Sequence, residues 1–136
     1  MVESPEEIAR AFVAAINAEN LSAIRSLMTE DHVFADARGN RFSGAEKMLL
    51  GWQHFFQAYP HYQITIARGF ANDNYVALFG EASGAWHVNG AVLTRQWRTT
   101  AAWLAEIEAG KIKSWAVFCD TSWATPPQET QSTHTS

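Results

Sequence analysis

Residues Tyr75 to Val88 read YVALFGEASGAWHV, Asn89-Gly90 follows, and Ala91 to Glu108 read AVLTRQWRTTAAWLAEIE. The fold turns on this stretch. Successive side chains of a strand point to opposite faces, so Tyr75, Ala77, Phe79, Glu81, Ser83, Ala85 and His87 share one face of the first segment. Asn-Gly between two such runs is the strongest short-range hairpin signal. Strands of about 14 and 18 residues exceed the usual 3–10, so both must bend. Gly80, Gly84 and Gly90 stand where bending or turning is easiest. Working outward, Ala109-Gly110 turns the chain into a last strand, Lys111 to Asp120. Upstream, Tyr62, Ile64 and Ile66 alternate with Gln63, Thr65 and Ala67, and Asn72-Asp73-Asn74 turns that strand into the long one. The result is a meander of four strands.

Helical spacing precedes the meander. Ser4-Pro5-Glu6-Glu7 combines a capping serine, a proline suited to the first helical position and a capping-box glutamate. Ile8, Ala11, Phe12, Ala15 and Ile16 then recur on one face. Asn20 caps a second short helix with Leu21, Ile24, Leu27 and Met28 on its apolar side. His32 to Ala37 reads as a short strand, with His32, Phe34 and Asp36 on one face, and Arg38-Gly39-Asn40 as a turn. Ser43-Gly44-Ala45-Glu46 reads as a second capping box. Met48, Leu49, Trp52, Phe55, Phe56 and Tyr59 stripe the helix after it, which Pro60 ends. This order predicts an α+β domain: three N-terminal helices packed on a strongly curved antiparallel sheet. The domain is expected over residues 1–124, and the polar residues 125–136, with Pro126-Pro127, read as a disordered tail. A curved sheet closed by helices encloses a concave space, the usual setting of a small-molecule site.

Composition narrows the function. The chain has 136 residues, 47% hydrophobic and 18% charged, which suits one packed domain and excludes a disordered chain. No apolar run nears the roughly 18–20 residues that span a bilayer, so no membrane partner is expected. Net charge is −4 and the basic residues are scattered singly, Lys111/Lys113 being the densest spot; this sets nucleic acid aside. Met1-Val2-Glu3-Ser4-Pro5 lacks the pattern of a secretory signal, and the single cysteine, Cys119, has no internal partner. The expected location is therefore cytoplasmic. His32, His54, His61, His87 and His134 show no metal-site spacing, and there is no glycine-rich phosphate loop; neither metal nor cofactor is expected. One figure is unusual: six Trp and eight Phe. They serve a core, a dimer face or a pocket wall.

Four segments, taken in order, resemble the NTF2-like superfamily in its SnoaL-like and ketosteroid-isomerase-like branch. They are Arg10-Ala11-Phe12-Val13-Ala14-Ala15-Ile16-Asn17-Ala18, Phe34-Ala35-Asp36, Ser43-Gly44-Ala45-Glu46, and Gly110-Lys111-Ile112-Lys113-Ser114-Trp115 leading to Phe118-Cys119-Asp120. The likeness covers residues 4 to 123. It implies a cone-shaped fold with a deep pocket, and commonly a homodimer formed through the sheet. It leaves the reaction open, because this fold carries isomerases, dehydratases, cyclases, epoxide hydrolases and proteins without catalysis.

Asp36 is the leading candidate base. It follows an apolar strand, and apolar walls would raise its pKa by desolvation, toward the range where a general base works best. The resemblance adds that the proton-abstracting aspartate of ketosteroid isomerases occupies this kind of position. The other reading is that Asp36 hydrogen-bonds the Arg38-Gly39-Asn40 turn. The rest of the isomerase apparatus is missing: Phe12 stands where the family has its oxyanion tyrosine, and its second donor, an acid, falls near Ala102 and Trp103. Each lost donor typically costs about 2.7–4 kcal/mol, which argues against the steroid reaction by that mechanism. Trp103 has an indole N–H to offer instead. The epoxide-hydrolase pattern fails as well, since Ala116 and Val117 follow Trp115 where an acid is needed, and Asp120 reads as structural.

His87 is a second candidate, because dehydratase-like relatives pair an Asp with a His inside the cone. An Asp36–His87 dyad would have Asp36 orient His87 as base; the alternative is an exposed histidine beside the Asn89-Gly90 turn. His32 is a weaker substitute, and Cys119 reads as a small core residue. Arg95 and Arg98 either clamp a substrate or bridge on the outer face. Phe12, Phe34, Trp52, Phe56, Trp103 and Phe118 are the expected substrate-binding aromatics. The expectation is a homodimeric, cofactor-free isomerase or lyase acting on a small hydrophobic or aromatic molecule. The alternative is a ligand-binding or dimerisation domain without catalysis.

Overall fold

A computed structural model describes residues 3–128. Its first helix, α1 (Pro5–Asn17), starts as its sequence predicts: the Ser4 hydroxyl accepts from the Glu7 N–H while the Glu7 carboxylate accepts from the Ser4 N–H. α2 (Leu21–Ser26) is capped by Asn20 but ends earlier than its apolar spacing suggests. Met28 already belongs to the strand β1 (Met28–Ala35), because it pairs with Ile112 and the Ile112 N–H donates to the Leu27 carbonyl. That tertiary pairing overrides the helical pattern. A three-residue strand, β2 (Arg41–Ser43), then folds back on β1. It takes Ser43 into a ladder opposite Val33, so the capping box expected there does not form. Gly44, at φ 103, is the N-cap of α3 (Ala45–Ala58), with no side-chain cap, and Glu46 accepts instead from Arg25 on α2.

The long strands are interrupted. After β3 (Gln63–Asn72), β4 (Tyr75–Gly84) stops at Gly84, where the Trp97 ring lies so close that a Cβ would overlap it. The chain leaves the sheet through a separate hairpin, β5 (His87–Val88) and β6 (Ala91–Val92), turning at Asn89 and Gly90 with φ of 54° and 81°. It re-enters as β7 (Trp97–Glu108), which pairs with β4 from Tyr75↔Glu106 to Gly84↔Trp97, and ends in β8 (Lys111–Cys119). The main sheet has six strands in the order β2-β1-β8-β7-β4-β3. All its pairs are antiparallel except β1 with β8. Curvature is built in by a bulge between Ile66 and Arg68 of β3. Gly80 faces that bulge, where any Cβ would overlap the Thr65 carbonyl.

Helices cover the concave face, and the core lies between. Phe12, Ile16, Leu78, Ile112 and Trp115 are fully buried there. Five of the tryptophans are buried and Trp123 is half-buried, so none serves the outer face. That face carries phenylalanines instead: Phe70, Phe79 and Phe118 are 60%, 44% and 56% exposed. Of the expected tail 125–136, residues 129–136 lie outside the described residues. No helix among the described residues is long and apolar enough to cross a membrane.

Candidate functional site

The cone holds a cavity of about 530 Å³, in the range of small-molecule sites. Its sheet wall is Ala82 of β4, Ala101 and Trp103 of β7, and Val117 and Cys119 of β8. Small side chains at Ala82 and Ala101 leave the space that the bulkier residues frame. The α3 wall is Met48, Gly51, Trp52 and Phe55, continued by Tyr59 and Tyr62. Phe34, Ala37 and Phe42 close a third side. The fourth is a short turn, Ser122–Ala124, in which Trp123 stacks on Trp97 at 4.0 Å and 13°. That turn is tied down twice: the Trp86 indole donates to the Trp123 carbonyl at 2.8 Å, and the Tyr59 hydroxyl to the Ala124 carbonyl at 2.9 Å.

Among the described residues, the charged members of the lining are Asp36, Arg38 and Lys47, the latter two exposed. Asp36 follows β1 and reaches the rim, half-buried. Its Oδ1 accepts from the backbone N–H of Arg38 at 3.0 Å and of Asn40 at 2.9 Å, and its Oδ2 from the Asn40 side-chain amide at 3.1 Å. Burial pushes its pKa up, but these bonds to the charged form outweigh burial and hold it below the usual carboxylate range. The expectation of a raised pKa is thus corrected: the carboxylate both lines the cavity and holds its own turn, and the turn sets its acidity.

The proposed dyad is not assembled. His87 is exposed on the β5–β6 hairpin and does not line the cavity. The chain leaves the main sheet before reaching it, so the strand-face count that aligned it with Ala85 no longer applies. His32 is fully buried beside Phe12, its Nδ1 bonded to the Ile112 carbonyl at 2.8 Å and its Nε2 without a partner. Burial lowers its pKa despite that bond. It is a core residue and not a cavity residue.

Of the six expected aromatics, Phe34, Trp52 and Trp103 line the cavity. Phe12 packs edge-on against Trp115 in the core at 4.9 Å, Phe56 is buried behind Trp52, and Phe118 points outward. Arg98 reaches Glu81 at 3.7 Å on the surface, Arg95 is exposed, and the Asp120 carboxylate accepts from the Ser122 N–H. Sequence reading missed Tyr62, Cys119 and Trp123 as lining residues. Tyr62 and Cys119 stood in plain strand patterns. Trp123 lies beyond the last strand, where no periodicity speaks. Burial raises both the Tyr62 phenol, well above its ordinary range, and the Cys119 thiol, so both stay protonated at neutral pH. Among the described residues, no three His, Cys, Asp or Glu side chains group as metal ligands do.

A SnoaL-like domain family model matches residues 9–115. The chain is similar in structure to a candidate polyketide cyclase from Xanthomonas campestris pv. campestris, with a TM-score of 0.79 at 17% identity over 88% of this chain and 93% of that one. It is also similar to wild-type IdmH of Streptomyces antibioticus, another candidate polyketide cyclase, with a TM-score of 0.75 at 20% identity over 88% and 94% of the two chains. A hypothetical protein with a ketosteroid isomerase-like fold from Catenulispora acidiphila DSM 44928, solved with trimethylamine, gives 0.69 at 23% identity over 82% and 84%. At such identities the likeness establishes the shared fold. No curated protein matches the chain.

Proposed function

This chain belongs to the SnoaL-like domain family, and from that premise we propose that it is a small-molecule enzyme whose hydrophobic or aromatic substrate enters the cone and loses a proton to Asp36. The observation that carries this reading is the position of Asp36, among the described residues the one carboxylate in the lining of a largely apolar cavity. Its low pKa keeps it ionised at neutral pH, ready to accept a proton. A weak base takes only an acidic proton, since each unit of pKa mismatch adds about 1.4 kcal/mol to the transfer. The substrate position is therefore a C–H activated by neighbouring carbonyls. Asp36 takes that proton and becomes the neutral acid, leaving an enolate. Returning the proton to another carbon gives isomerisation; expelling a β-hydroxyl, protonated to water by Asp36, gives dehydration; attack on a second carbonyl of the same molecule gives cyclisation. The exposed Arg38 and Lys47 at the rim favour the anionic intermediate.

A second reading is a ligand-binding domain without catalysis. It is favoured by the three N–H groups that occupy the Asp36 oxygens. Asp36→Asn separates the two, because the amide oxygen still accepts from the turn while the base is gone. Screening 1,3-diketone substrates with the wild type and this variant is the test. Turnover that drops at least about a hundredfold supports the enzyme, on the scale of a lost general base; turnover that survives the substitution sinks it. Two further features belong to this proposal. The exposed His87 takes no part, and the phenylalanines of the outer sheet face pair with a second copy of the chain.

A further inference from the structure

The exposed members of the cavity lining locate its mouth. Among the described residues they are Arg38, Phe42, Lys47 and Gly51. They come from the loop after β1, from β2 and from the first two turns of α3. Trp52, Tyr62, Ala82, Ala101 and Trp103 are buried and form the deep part, which carries no charge. Two of the four mouth residues are cations, and among the described residues neither makes an ion pair. Lys47 stands in the first turn of α3, the end at which the helix dipole disfavours positive charge. Glu46, next to it in sequence, is turned to Arg25 at 2.6 Å. The Asp36 oxygens are engaged by N–H groups of their own turn. Two cations against one carboxylate leave the lining positive, on a chain whose net charge is −4. A local field of this sign at the entrance of an apolar space draws an anion with an apolar body.

We propose that the cavity takes aromatic carboxylic acids, the apolar body filling the buried part and the carboxylate held at the mouth by Arg38 and Lys47. The inference rests on reading this cavity as the ligand site, and it deepens the proposed reaction by making its substrate an acid. Arg38 offers the planar fork that matches a carboxylate, and Lys47 a point charge. Both lie at the surface, so each contact is weak alone, and burial of the aromatic body supplies most of the affinity. The charge then decides between ligands that share one body. The opposite preference, for an ammonium held by Asp36 against the aromatic walls, is the competing outcome.

Naphthylacetate, naphthylacetamide and naphthylethylamine test it, as one aromatic body ending in an anion, a neutral amide and a cation. Equilibrium dialysis against the full chain at neutral pH is expected to rank the acid about 3- to 10-fold tighter than the amide, the scale of two exposed charge contacts, with the amine weakest. Raising the salt from about 0.01 to about 1 M shortens the screening length from about 30 to about 3 Å. It is expected to bring the acid within about twofold of the amide, a readout that needs no variant to fold. Arg38→Gln combined with Lys47→Gln is expected to do the same at low salt, and amide binding reports whether the cavity survives. Lys111→Gln removes an exposed cation at the start of β8, outside the lining. It is expected to keep the preference for the acid, which separates a contact at the mouth from the charge of the whole chain. An acid that does not bind, or binds no tighter than the amide or the amine, overturns the proposal. So does a preference that survives the double substitution or high salt, or one lost equally in Lys111→Gln. None of these measurements needs Asp36 to act as a base. Failure here leaves the catalytic reading standing, and an Asp36→Asn variant with full turnover leaves this one standing.

Discussion

Asp36 and Asn40 hold each other across the loop at the cavity rim: the Asn40 backbone N–H donates to Oδ1 at 2.9 Å, its side-chain amide to Oδ2 at 3.1 Å, and the Asp36 N–H returns a bond to the Asn40 carbonyl at 2.9 Å. Asn40 thus closes the turn and, with the Arg38 N–H, lowers the pKa of the carboxylate that lines the cavity.

Asn40→Ala isolates the second role. It deletes the bond to Oδ2 and leaves both backbone donors to Oδ1. The Asp36 pKa, now below 3.8, is expected to rise, because the deleted bond favoured the charged form. A carboxyl-carbon NMR titration of Asp36 measures this directly. The stability cost is expected near about 0.5 kcal/mol, the low end for a hydrogen bond, since this one is exposed to water. A pKa that does not move would falsify the view that the turn controls the base.

The strand alternation, the α1 capping box and the Asn89-Gly90 turn were legible in sequence because each depends on neighbours along the chain. The failures share the opposite cause. Met28 left its helix for Ile112, and Ser43 left its capping box for Val33; both partners are distant or across a turn. His87 failed as a site residue because Gly84 yields to the Trp97 ring and the strand ends there. The sequence offers Asp36 two readings, a pocket base and a turn residue; the structure shows the turn bonds and a place in the cavity lining, and the role as base belongs to the proposal. Its pKa was not legible, since the sequence does not say how many N–H groups reach the carboxylate.

His32 gives the fold a pH dependence. Burial holds its folded pKa below the ordinary value of 6.5. Below pH 6.5 the unfolded chain therefore binds a proton that the folded chain excludes. The stability is full above that pH and falls as the pH drops from 6.5 toward the folded pKa, by at most about 1.4 kcal/mol per unit. His32→Asn keeps an N–H for the Ile112 carbonyl and cannot titrate. Urea unfolding between pH 5 and 8, conditions taken to bracket the ordinary histidine range of about 6.5, is expected to show a flatter profile for the variant. Equal slopes for the two proteins would remove His32 as the cause.

Trp97 anchors the turn that closes the cavity. It is 5% exposed, stacks on Trp123, meets the Tyr62 ring at 5.9 Å and donates to the Ala85 carbonyl at 3.1 Å. Trp97→Ala is expected to cost about 3–5 kcal/mol in urea unfolding, the usual range for a buried aromatic cut to alanine. Trp97→Phe keeps part of the stack and loses the N–H bond, costing about 1–3 kcal/mol through the orphaned carbonyl and lost area. Hydrogen exchange at Ser122–Ala124 is expected to quicken in the alanine variant. Protection that stays at the wild-type level would mean the turn is held by the Trp86 and Tyr59 bonds alone.

The outer sheet face makes the last expectation. Phe79 and Phe118 flank Ala102 in cross-strand register, Phe70 packs on Phe79 at 6.1 Å, and Leu104 adds to the same exposed surface. Exposed apolar side chains grouped on one face mark an interaction surface. A two-fold pairing lets one patch serve both partners, and a stable dimer needs about 1,200–2,000 Å² buried in total. Sedimentation at micromolar concentration is expected to give a dimer. Phe79→Lys would set like charges against each other near the two-fold axis and give a monomer, with the fold intact because position 79 is exposed. Position 87 supplies the control, since His87→Ala, away from this face, is expected to remain dimeric. A monomeric wild type at the same concentration would leave the phenylalanines without a partner and end the proposal.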